Sequence, residues 1–324
     1  MKNEALLNII PLALVTSLSI SGCAETTENE CGNFDTATYK GEPSKLIAPQ
    51  GIIFDTTRNS IISTSLQELK TIDSNGNTKP LAHIPTENGI MSILTGIDKD
   101  SDGDIYTSDA VHGKIWKLER NGNFTLYAGS GKSNENKNNY RLNVKLQNPR
   151  AIKFHEGLLY ILDNSLGEIN TINSTGTVRK IPLLGTPKLI NPAEMTFKDE
   201  NLYVSDWGDN TIKVIDKDGR IKIFAGIPGK GGAENGQRLL AKFNSPTGMA
   251  FDNSGNLYIA DSGNSVIRKI STNNFVTSTI KGKSNSDQLH DASLLNPTNI
   301  AINGTDIFVT DAKICKILKF KLSM

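Results

Sequence analysis

The chain has 324 residues, and its 35 basic and 34 acidic side chains leave a formal net charge of +1 at pH 7. This near-neutral balance excludes the strongly basic surface that nucleic-acid binding requires, so we expect no nucleic-acid partner. The length exceeds the roughly 250 residues beyond which one compact core stops growing, which favours a fold built from repeated units.

The N-terminal segment is typical of an export signal. Lys2 precedes an apolar stretch that Pro11 interrupts, and this stretch is shorter than a membrane-spanning helix requires. The small residues before Cys23 resemble a bacterial lipobox, which implies that Cys23 becomes the lipidated, palmitate-bearing first residue of the mature protein. The alternative is an ordinary secretory signal followed by a chance cysteine. We predict a lipoprotein signal peptide at residues 1–22.

The segment after Cys23 predicts a short tether. Residues 23–36 are rich in Thr, Glu and Asn, a composition that stays solvated rather than packing into a core. Ala24 is not an aspartate, so the lipobox resemblance implies the outer membrane if the cell has two. Lipidation of Cys23 leaves two of the three cysteines, Cys31 and Cys315, free to pair in an exported protein.

A pattern of short apolar runs and turn residues fills the rest of the chain. Its clearest copy is Asn244–Ile270, NSPTGMAFDNSGNLYIADSGNSVIRKI. Three runs separated by Asp/Asn/Gly turns predict three consecutive antiparallel strands. Looser copies begin near residues 48, 95, 148, 191 and 296, which makes six in total.

An aspartate ends the second strand in five of the six copies. These residues, 43 to 55 positions apart, are Asp109, Asp163, Asp206, Asp261 and Asp311. The period is that of propeller blades and too long for leucine-rich or hexapeptide solenoids. A ring of carboxylates is one interpretation, but an Asp that opens a turn and accepts backbone N–H groups is the one we favour.

The segment Pro246–Ile270, P-T-G-M-A-F-D followed by G-N-L-Y-I-A-D-S-G-N-S-V-I-R-K-I, closely resembles the NHL repeat. Members of that family form β-propellers, and the resemblance covers nearly all of the chain from about Ala48. It implies an all-β, six-bladed β-propeller of four-stranded antiparallel blades over residues 37–324. It says little about function, since NHL-type propellers serve as lyases, sensors, RNA binders and scaffolds.

Ring closure is predicted from the two ends of the chain. The last copy stops without a fourth strand, while residues 37–47 precede the first copy and belong to none. Because an unpaired sheet edge is a liability, we predict that the N-terminal segment completes the last blade as its outermost strand. A Cys31–Cys315 disulfide would then staple the ring and stabilise it by about 4–5 kcal/mol.

All the length variation falls on one face of the predicted ring. With strands a to d counted from the centre outward, the d–a connections and the b–c turns share that face. Its long insertions are residues 130–147, 227–244 and 281–295, and unstructured connections of this length are often functional. We take this loop-rich face as the candidate binding surface; the alternative is that the loops are tolerated surface variation.

Residues that depart from the repeat are the candidate ligand-binding residues. Arg150 and Glu194 lie at the start of innermost strands, and Trp207, Asp209 and His112 lie in b–c turns of the loop-rich face. Together they predict a polar pocket with an aromatic wall at the mouth of the central channel.

A calcium loop is the one metal signal. Acidic residues at alternate positions around Gly103, with Asp109 at the twelfth position, fit the oxygen-rich pattern that Ca²⁺ requires; they are Asp98, Asp100, Asp102 and Asp104. A plain Asp/Gly hairpin turn explains the same residues without a metal, and we favour it, expecting no cofactor.

The family resemblance also gives a test for catalysis. NHL-like amidating lyases hold a metal with histidines directly after the entry proline of several blades. None of the corresponding residues here is histidine: they are Gln50, Arg150, Ala193, Thr247 and Thr298. The bridging carboxylate set of propeller lactonases is also missing, because Glu194 alone does not form it.

These observations favour a binding or scaffold function over catalysis. We predict a monomeric, lipid-anchored envelope protein that recognises a protein, peptide or glycan on the loop-rich face and that reaches the membrane through its lipid. The alternative is a divalent-metal-dependent envelope lyase or hydrolase with its site in the central channel.

Overall fold

The computed structural model describes residues 46–84, 86–129, 140–280 and 294–322. In these residues 24 β-strands form six antiparallel sheets, each a meander in which consecutive strands pair. The sheets are the blades of a six-bladed β-propeller, which confirms the predicted fold class. In the described residues no helix is long and apolar enough to cross a membrane.

The first three blades each contain four strands. Blade 1 comprises β1 to β4, at Ile52–Asp55, Ser60–Ser65, Glu68–Ile72 and Thr78–His83. Blade 2 comprises β5 to β8, at Leu94–Lys99, Ile105–Asp109, Lys114–Leu118 and Phe124–Ala128. Blade 3 comprises β9 to β12, at Pro149–His155, Leu158–Asp163, Glu168–Ile172 and Val178–Lys180.

The last three blades differ in strand number. Blade 4 comprises β13 to β16, at Pro192–Lys198, Asn201–Asp206, Thr211–Ile215 and Ile221–Ala225. Blade 5 comprises β18 to β21, at Pro246–Phe251, Leu257–Asp261, Val266–Ile270 and Val276–Ile280, with β17, Gly236–Gln237, added at its outer edge. The described part of blade 6 comprises β22 to β24, at Pro297–Asn303, Asp306–Asp311 and Lys316–Lys321.

Apolar clusters between neighbouring blades form the core. Burial of apolar area stabilises by about 25 cal/mol per Å², and a blade has apolar residues on both faces to bury. The cluster that joins the first and last blades includes Ile52, Ile61 and Ala301. There the rings of Phe54 and Phe308 stack with their centroids 5.9 Å apart. The contact between blades 1 and 6 closes the ring.

Threonine hydroxyls link three pairs of neighbouring blades at their innermost strands. Thr247 Oγ1 donates to the carbonyl of Pro297 in the next blade at 3.2 Å, and Thr298 Oγ1 donates to that of Pro49 at 2.9 Å. Thr95 makes the equivalent bond to blade 3. The corresponding residues of blades 1, 3 and 4 are Gln50, Arg150 and Ala193, so these three blades lack the threonine that makes the bond.

In blades 3 to 6, the aspartate at the end of the second strand ties the blade to its own entry segment. The carboxylate of Asp163 accepts hydrogen bonds from Gln147 N at 2.7 Å and Asn148 N at 3.2 Å. Asp311 accepts from Leu295 N at 2.7 Å in the same way. These carboxylates bind backbone N–H groups, as in the turn-forming interpretation.

The insertion at residues 227–244 is structured, so the prediction of an unstructured connection is wrong there. Gly236–Gln237 pairs with Val276 and Thr277, and the guanidinium of Arg238 lies 4.6 Å from the ring centroid of Phe224. Arg141 makes the equivalent contact with Tyr127, at 4.5 Å. Tyr140 also forms a β-bridge with Thr177 at the outer part of blade 3, so both insertions reach the outer edge of the following blade before the chain arrives at its entry proline.

A sequence signal for this crossing exists. Arg141-Leu-Asn-Val-Lys145 and Arg238-Leu-Leu-Ala-Lys242 share an Arg-Leu-x-x-Lys pattern, and a proline follows each lysine four residues later. The third residues after the arginines are Val144 and Ala241, and both are buried between blades. The repeat unit therefore begins before the entry proline in these two blades.

Several predictions fall outside the described residues. They are the signal peptide, the tether, the lipidated Cys23 and the N-terminal strand predicted to complete blade 6. Cys315 is disulfide-bonded, but the other two cysteines both lie outside the described residues, so the Cys31–Cys315 pairing stays a prediction.

Candidate functional site at the channel mouth

Polar side chains from four innermost strands line the centre of the ring. Glu194 and Asn299 occupy the same position of blades 4 and 6, and Asn299 Nδ2 donates to Glu194 Oε2 at 2.5 Å. Gly248 has this position in the blade between them, and a Cβ there would lie 2.2 Å from Asn299 Cα. The absence of a side chain in blade 5 lets blades 4 and 6 meet across it.

Two further charged residues, Lys153 and Asp98, each lie two positions further along the innermost strands of blades 3 and 2. Lys153 of blade 3 interacts electrostatically with Asp98 of blade 2 and with Glu194. Burial raises the pKa of the Asp98 carboxyl, although Lys153 acts against that shift. Burial alone lowers the pKa of Lys153, but the two carboxylates raise it above its ordinary value, so this lysine is a cation at neutral pH.

Arg150, at the start of blade 3, and Trp207, in the b–c turn of blade 4, lie against each other. The guanidinium carbon of Arg150 is 5.4 Å from the Trp207 ring centroid, a cation–π contact. Arg150 is only 9% exposed, and burial lowers its pKa to about 10, so it stays charged at neutral pH. In the described residues, Arg150 Nη1 and Trp207 Nε1 are buried donors without a hydrogen-bond partner.

His112 lies in the b–c turn of blade 2 and pairs with a buried aspartate. Its Nδ1 is 2.9 Å from Asp109 Oδ2 and 3.3 Å from Ser92 Oγ. The carboxylate only accepts hydrogen bonds, so the Nδ1 proton points to Asp109 and the ring is fixed in one orientation. His112 Nε2 is buried and has no partner among the described residues, so it can accept a bond when neutral or donate one when protonated.

Asn148 lies directly before the entry proline of blade 3. Its carbonyl oxygen accepts from Asn164 N at 2.9 Å, and Asn164 Nδ2 donates to Pro192 O of blade 4 at 2.8 Å. The side-chain oxygen of Asn148 is buried without a partner in the described part of the chain. The b–c turn of blade 3 thus holds the entry segments of blades 3 and 4 side by side.

The carboxylate of Asp209, which we predicted to bind a ligand, accepts hydrogen bonds from side chains of its own blade. Its Oδ2 accepts from Lys213 Nζ at 2.7 Å and its Oδ1 from Thr211 Oγ1 at 2.5 Å. Lys213 is fully buried and also pairs with Asp206 at 2.6 Å. Because both oxygens already accept charged or hydroxyl donors, Asp209 adds negative charge to the site without offering a free contact.

The predicted calcium ligands do not converge. Asp98 faces the channel and accepts from Phe154 N at 2.7 Å, whereas Asp100 accepts from Tyr106 OH at 3.0 Å. Asp104 pairs with Lys117 at 2.7 Å. Across residues 46–84, 86–129, 140–280 and 294–322, no three His, Cys, Asp or Glu side chains are grouped to hold a metal ion.

The structure therefore brings together some of the predicted ligand-binding residues. Arg150 and Trp207 are in contact, Glu194 lies on the channel side of Arg150 and interacts with it electrostatically, and His112 occupies the turn of the preceding blade. Sequence reasoning missed Lys153 in the channel. The available signal was the period of two along an innermost strand, which places Lys153 on the same side as the small residues that line the channel in other blades.

Comparisons with known proteins agree with this architecture. The family model described as NHL repeat matches residues 243–270. The NHL repeat-containing protein 2 of Gallus gallus is 33% identical over 134 residues, which is 41% of this chain and 17% of that protein. The chain thus spans less than a fifth of this relative's length.

Solved structures share the fold at low identity. An auxiliary nutrient binding protein from Bacteroides thetaiotaomicron has a TM-score of 0.67 and 14% identity, covering 85% of this chain and 69% of that one. A virginiamycin B lyase from Staphylococcus aureus has a TM-score of 0.55 and 16% identity, covering 87% and 86%. The fold therefore occurs in both a binding protein and an enzyme. Only the side chains of the site can distinguish a binding function from a catalytic one.

Proposed function

Because the chain is an NHL-repeat β-propeller, a fold that fixes no single activity, we propose its function from the site alone: it is a non-catalytic binding protein that takes its ligand at the channel mouth on the loop-rich face. The observation that carries this proposal is the Arg150–Trp207 pair. A buried guanidinium with an unfilled donor, beside an aromatic ring, has the composition of a recognition pocket.

A peptide or a glycan fits this pair best. An indole face packs against the apolar face of a sugar ring or against a peptide side chain, and the guanidinium supplies directed donors. Ile190, which is 52% exposed, lies against Gly208 next to Trp207 and adds an apolar contact on the same face. The binding function of the Bacteroides neighbour supports the proposal at the level of fold.

Metal-dependent lyase or hydrolase chemistry has weaker support. The lyase neighbour shows that the fold accommodates catalysis. In the described part of the chain, however, the channel carboxylates Asp98 and Glu194 face a lysine, and no further acidic or histidine ligand joins them. A cation between them would have to displace Lys153.

The proposal is tested by binding to a glycan array and a peptide library. The probe is the full chain with Cys23→Ala, which removes the proposed lipid. We expect specific binding that Trp207→Ala abolishes and that Arg220→Ala leaves intact, because Arg220 is an exposed residue on a c–d turn of the opposite face. Binding that survives Trp207→Ala would place the function elsewhere.

We also propose that the protein is exported and held on the outer face of a bacterial membrane through acylated Cys23. A buried methylene contributes about 0.8 kcal/mol, so several acyl chains anchor a protein durably. We expect the wild-type protein in the membrane fraction and Cys23→Ala in the soluble fraction after ultracentrifugation. Cys31→Ser is the control that stays in the membrane, and a membrane-bound Cys23→Ala protein argues against the anchor.

A further inference from the structure

Four buried polar atoms that have no partner among the described residues lie on three consecutive blades of the loop-rich face. They belong to the b–c turns of blades 2 and 4 and to the entry segment of blade 3, and are His112 Nε2, Asn148 Oδ1, Arg150 Nη1 and Trp207 Nε1. A buried polar atom without a partner costs about 1–3 kcal/mol, so a folded protein usually pairs such an atom with protein, water or a ligand. Arg150 and Trp207 are in contact, and the turn that contains His112 packs on the entry segment of blade 3, where a Cβ on Gly113 would lie 2.1 Å from Leu146 O. We therefore treat the four atoms as one group.

We propose that this group binds the carboxylate of the ligand, a step that rests on the binding function proposed above. Arg150 has no salt bridge in the described residues, since the nearby Glu194 bonds to Asn299 Nδ2 and Met195 N instead. A guanidinium presents paired N–H donors that match the two oxygens of a carboxylate. The indole N–H of Trp207 only donates, so both groups call for an acceptor, and the positive charge of Arg150 favours an anionic one.

The surrounding charge favours a singly charged anion. Besides Arg150, the neighbourhood contains Lys153 with Asp98 and Glu194, and the cluster of Asp206, Asp209 and Lys213; the formal charge of these six residues is negative overall. A phosphate dianion would be repelled by these carboxylates more strongly than a carboxylate is. The site therefore suits one negative charge rather than two.

The other two atoms, Asn148 Oδ1 and His112 Nε2, indicate which chemical groups the rest of the ligand carries. Asn148 Oδ1 accepts a hydrogen bond, and His112 Nε2 accepts one while the ring is neutral. A group that donates, such as a hydroxyl or an amide N–H, therefore lies next to the carboxylate. A uronic acid and a peptide C-terminus both have this chemistry.

Binding is expected to move the Trp207 ring. Arg150 Nη1 and Trp207 Nε1 have almost no exposed surface, so a carboxylate reaches them only if the indole shifts. The chain has two tryptophans, Trp116 and Trp207. A Trp116→Phe chain leaves Trp207 as the single tryptophan, and its fluorescence then reports the site.

The test uses two matched pairs of probes on the full chain with Cys23→Ala and Trp116→Phe. The pairs are glucuronate against glucose, and acetyl-dialanine against its C-terminal amide. We expect a saturable fluorescence change with at least one acid and none with its neutral partner. Arg150→Met should weaken that binding at least about tenfold, as expected for a lost charged hydrogen bond, while Arg220→Met leaves it unchanged.

Isothermal titration of the same probes on the chain with Trp116 intact removes any dependence on the fluorescence background. Equal binding of acid and neutral partner, binding of inorganic phosphate in place of both acids, or no response to either acid overturns the inference. If the array partner still requires Trp207 in that case, the binding function stands and only the carboxylate assignment fails. If no array binding depends on Trp207, the proposed function fails first.

Discussion

Replacing Arg268 with alanine is expected to lower the free energy of unfolding by about 3–5 kcal/mol, the loss typical of breaking a buried ion pair. Arg268 lies in β20 of blade 5 and has no exposed surface. Its Nη1 donates to Asp261 Oδ2 at 2.8 Å and to Lys242 O at 2.9 Å. Truncation leaves the Asp261 carboxylate buried without its counter-ion.

A second set of contacts makes Arg268 the link between blade 5 and the insertion before it. Its Nη2 donates to Glu234 O and Asn235 Oδ1, both at 2.9 Å, and its guanidinium lies 5.1 Å from the Phe243 ring centroid. Removing the side chain therefore also leaves the backbone carbonyl of Lys242 unpaired, whereas Glu234 O keeps a hydrogen bond from Lys242 N. The unpaired carbonyl adds about 1–3 kcal/mol to the cost.

Urea unfolding followed by circular dichroism measures this loss as a shift of the midpoint at constant slope. Lys269→Ala is the matched control, because Lys269 is the next residue of the same strand and is partly exposed; we expect a change within about 0.5 kcal/mol. The double variant Arg268→Met with Asp261→Asn should recover part of the loss, since it leaves no unpaired buried charge. A midpoint for Arg268→Ala equal to that of Lys269→Ala contradicts the assigned role.

The fold was predictable because local signals repeat. Each blade presents the same succession of apolar runs and Asp, Asn or Gly turns, so six weak signals support one architecture. The template segment Asn244–Ile270 proved to be the matched NHL repeat, residues 243–270. It also contains Arg268 and Asp261, whose buried ion pair shows that the most regular segment is part of the scaffold.

The site was only partly predictable because it depends on contacts between blades. Arg150 and Trp207 stand 57 residues apart in sequence, and only the ring brings them to 5.4 Å. Asp209 was predicted to bind a ligand, yet its carboxylate accepts a hydrogen bond from Lys213, four positions later in the chain. Lys153 was missed because an isolated lysine on a strand predicts a solvent-facing residue, and only the ring geometry turns it toward the channel.

Replacing Asp163 with alanine is expected to reduce both stability and ligand binding. Its carboxylate accepts hydrogen bonds from the backbone N–H groups of Gln147, Asn148 and Leu166. Loss of these bonds should lower the free energy of unfolding by about 2–3 kcal/mol, although burial raises the pKa of Asp163 and so offsets part of their benefit. Two of the three donors, Gln147 and Asn148, lie three and two residues before Arg150.

We therefore expect Asp163 to position Arg150 without touching the ligand. In Asp163→Ala the entry segment of blade 3 loses its anchor, and we expect the affinity for the carboxylate probe to fall at least about tenfold in protein that is still folded. Asp311→Ala is the matched control: Asp311 accepts from Leu295 N and Asn296 N with the same geometry in blade 6. It should lose similar stability in urea and keep the affinity. If Asp163→Ala loses stability but binds the probe like the parent chain, the carboxylate of Asp163 supports only the turn, and Arg150 is held by its own blade.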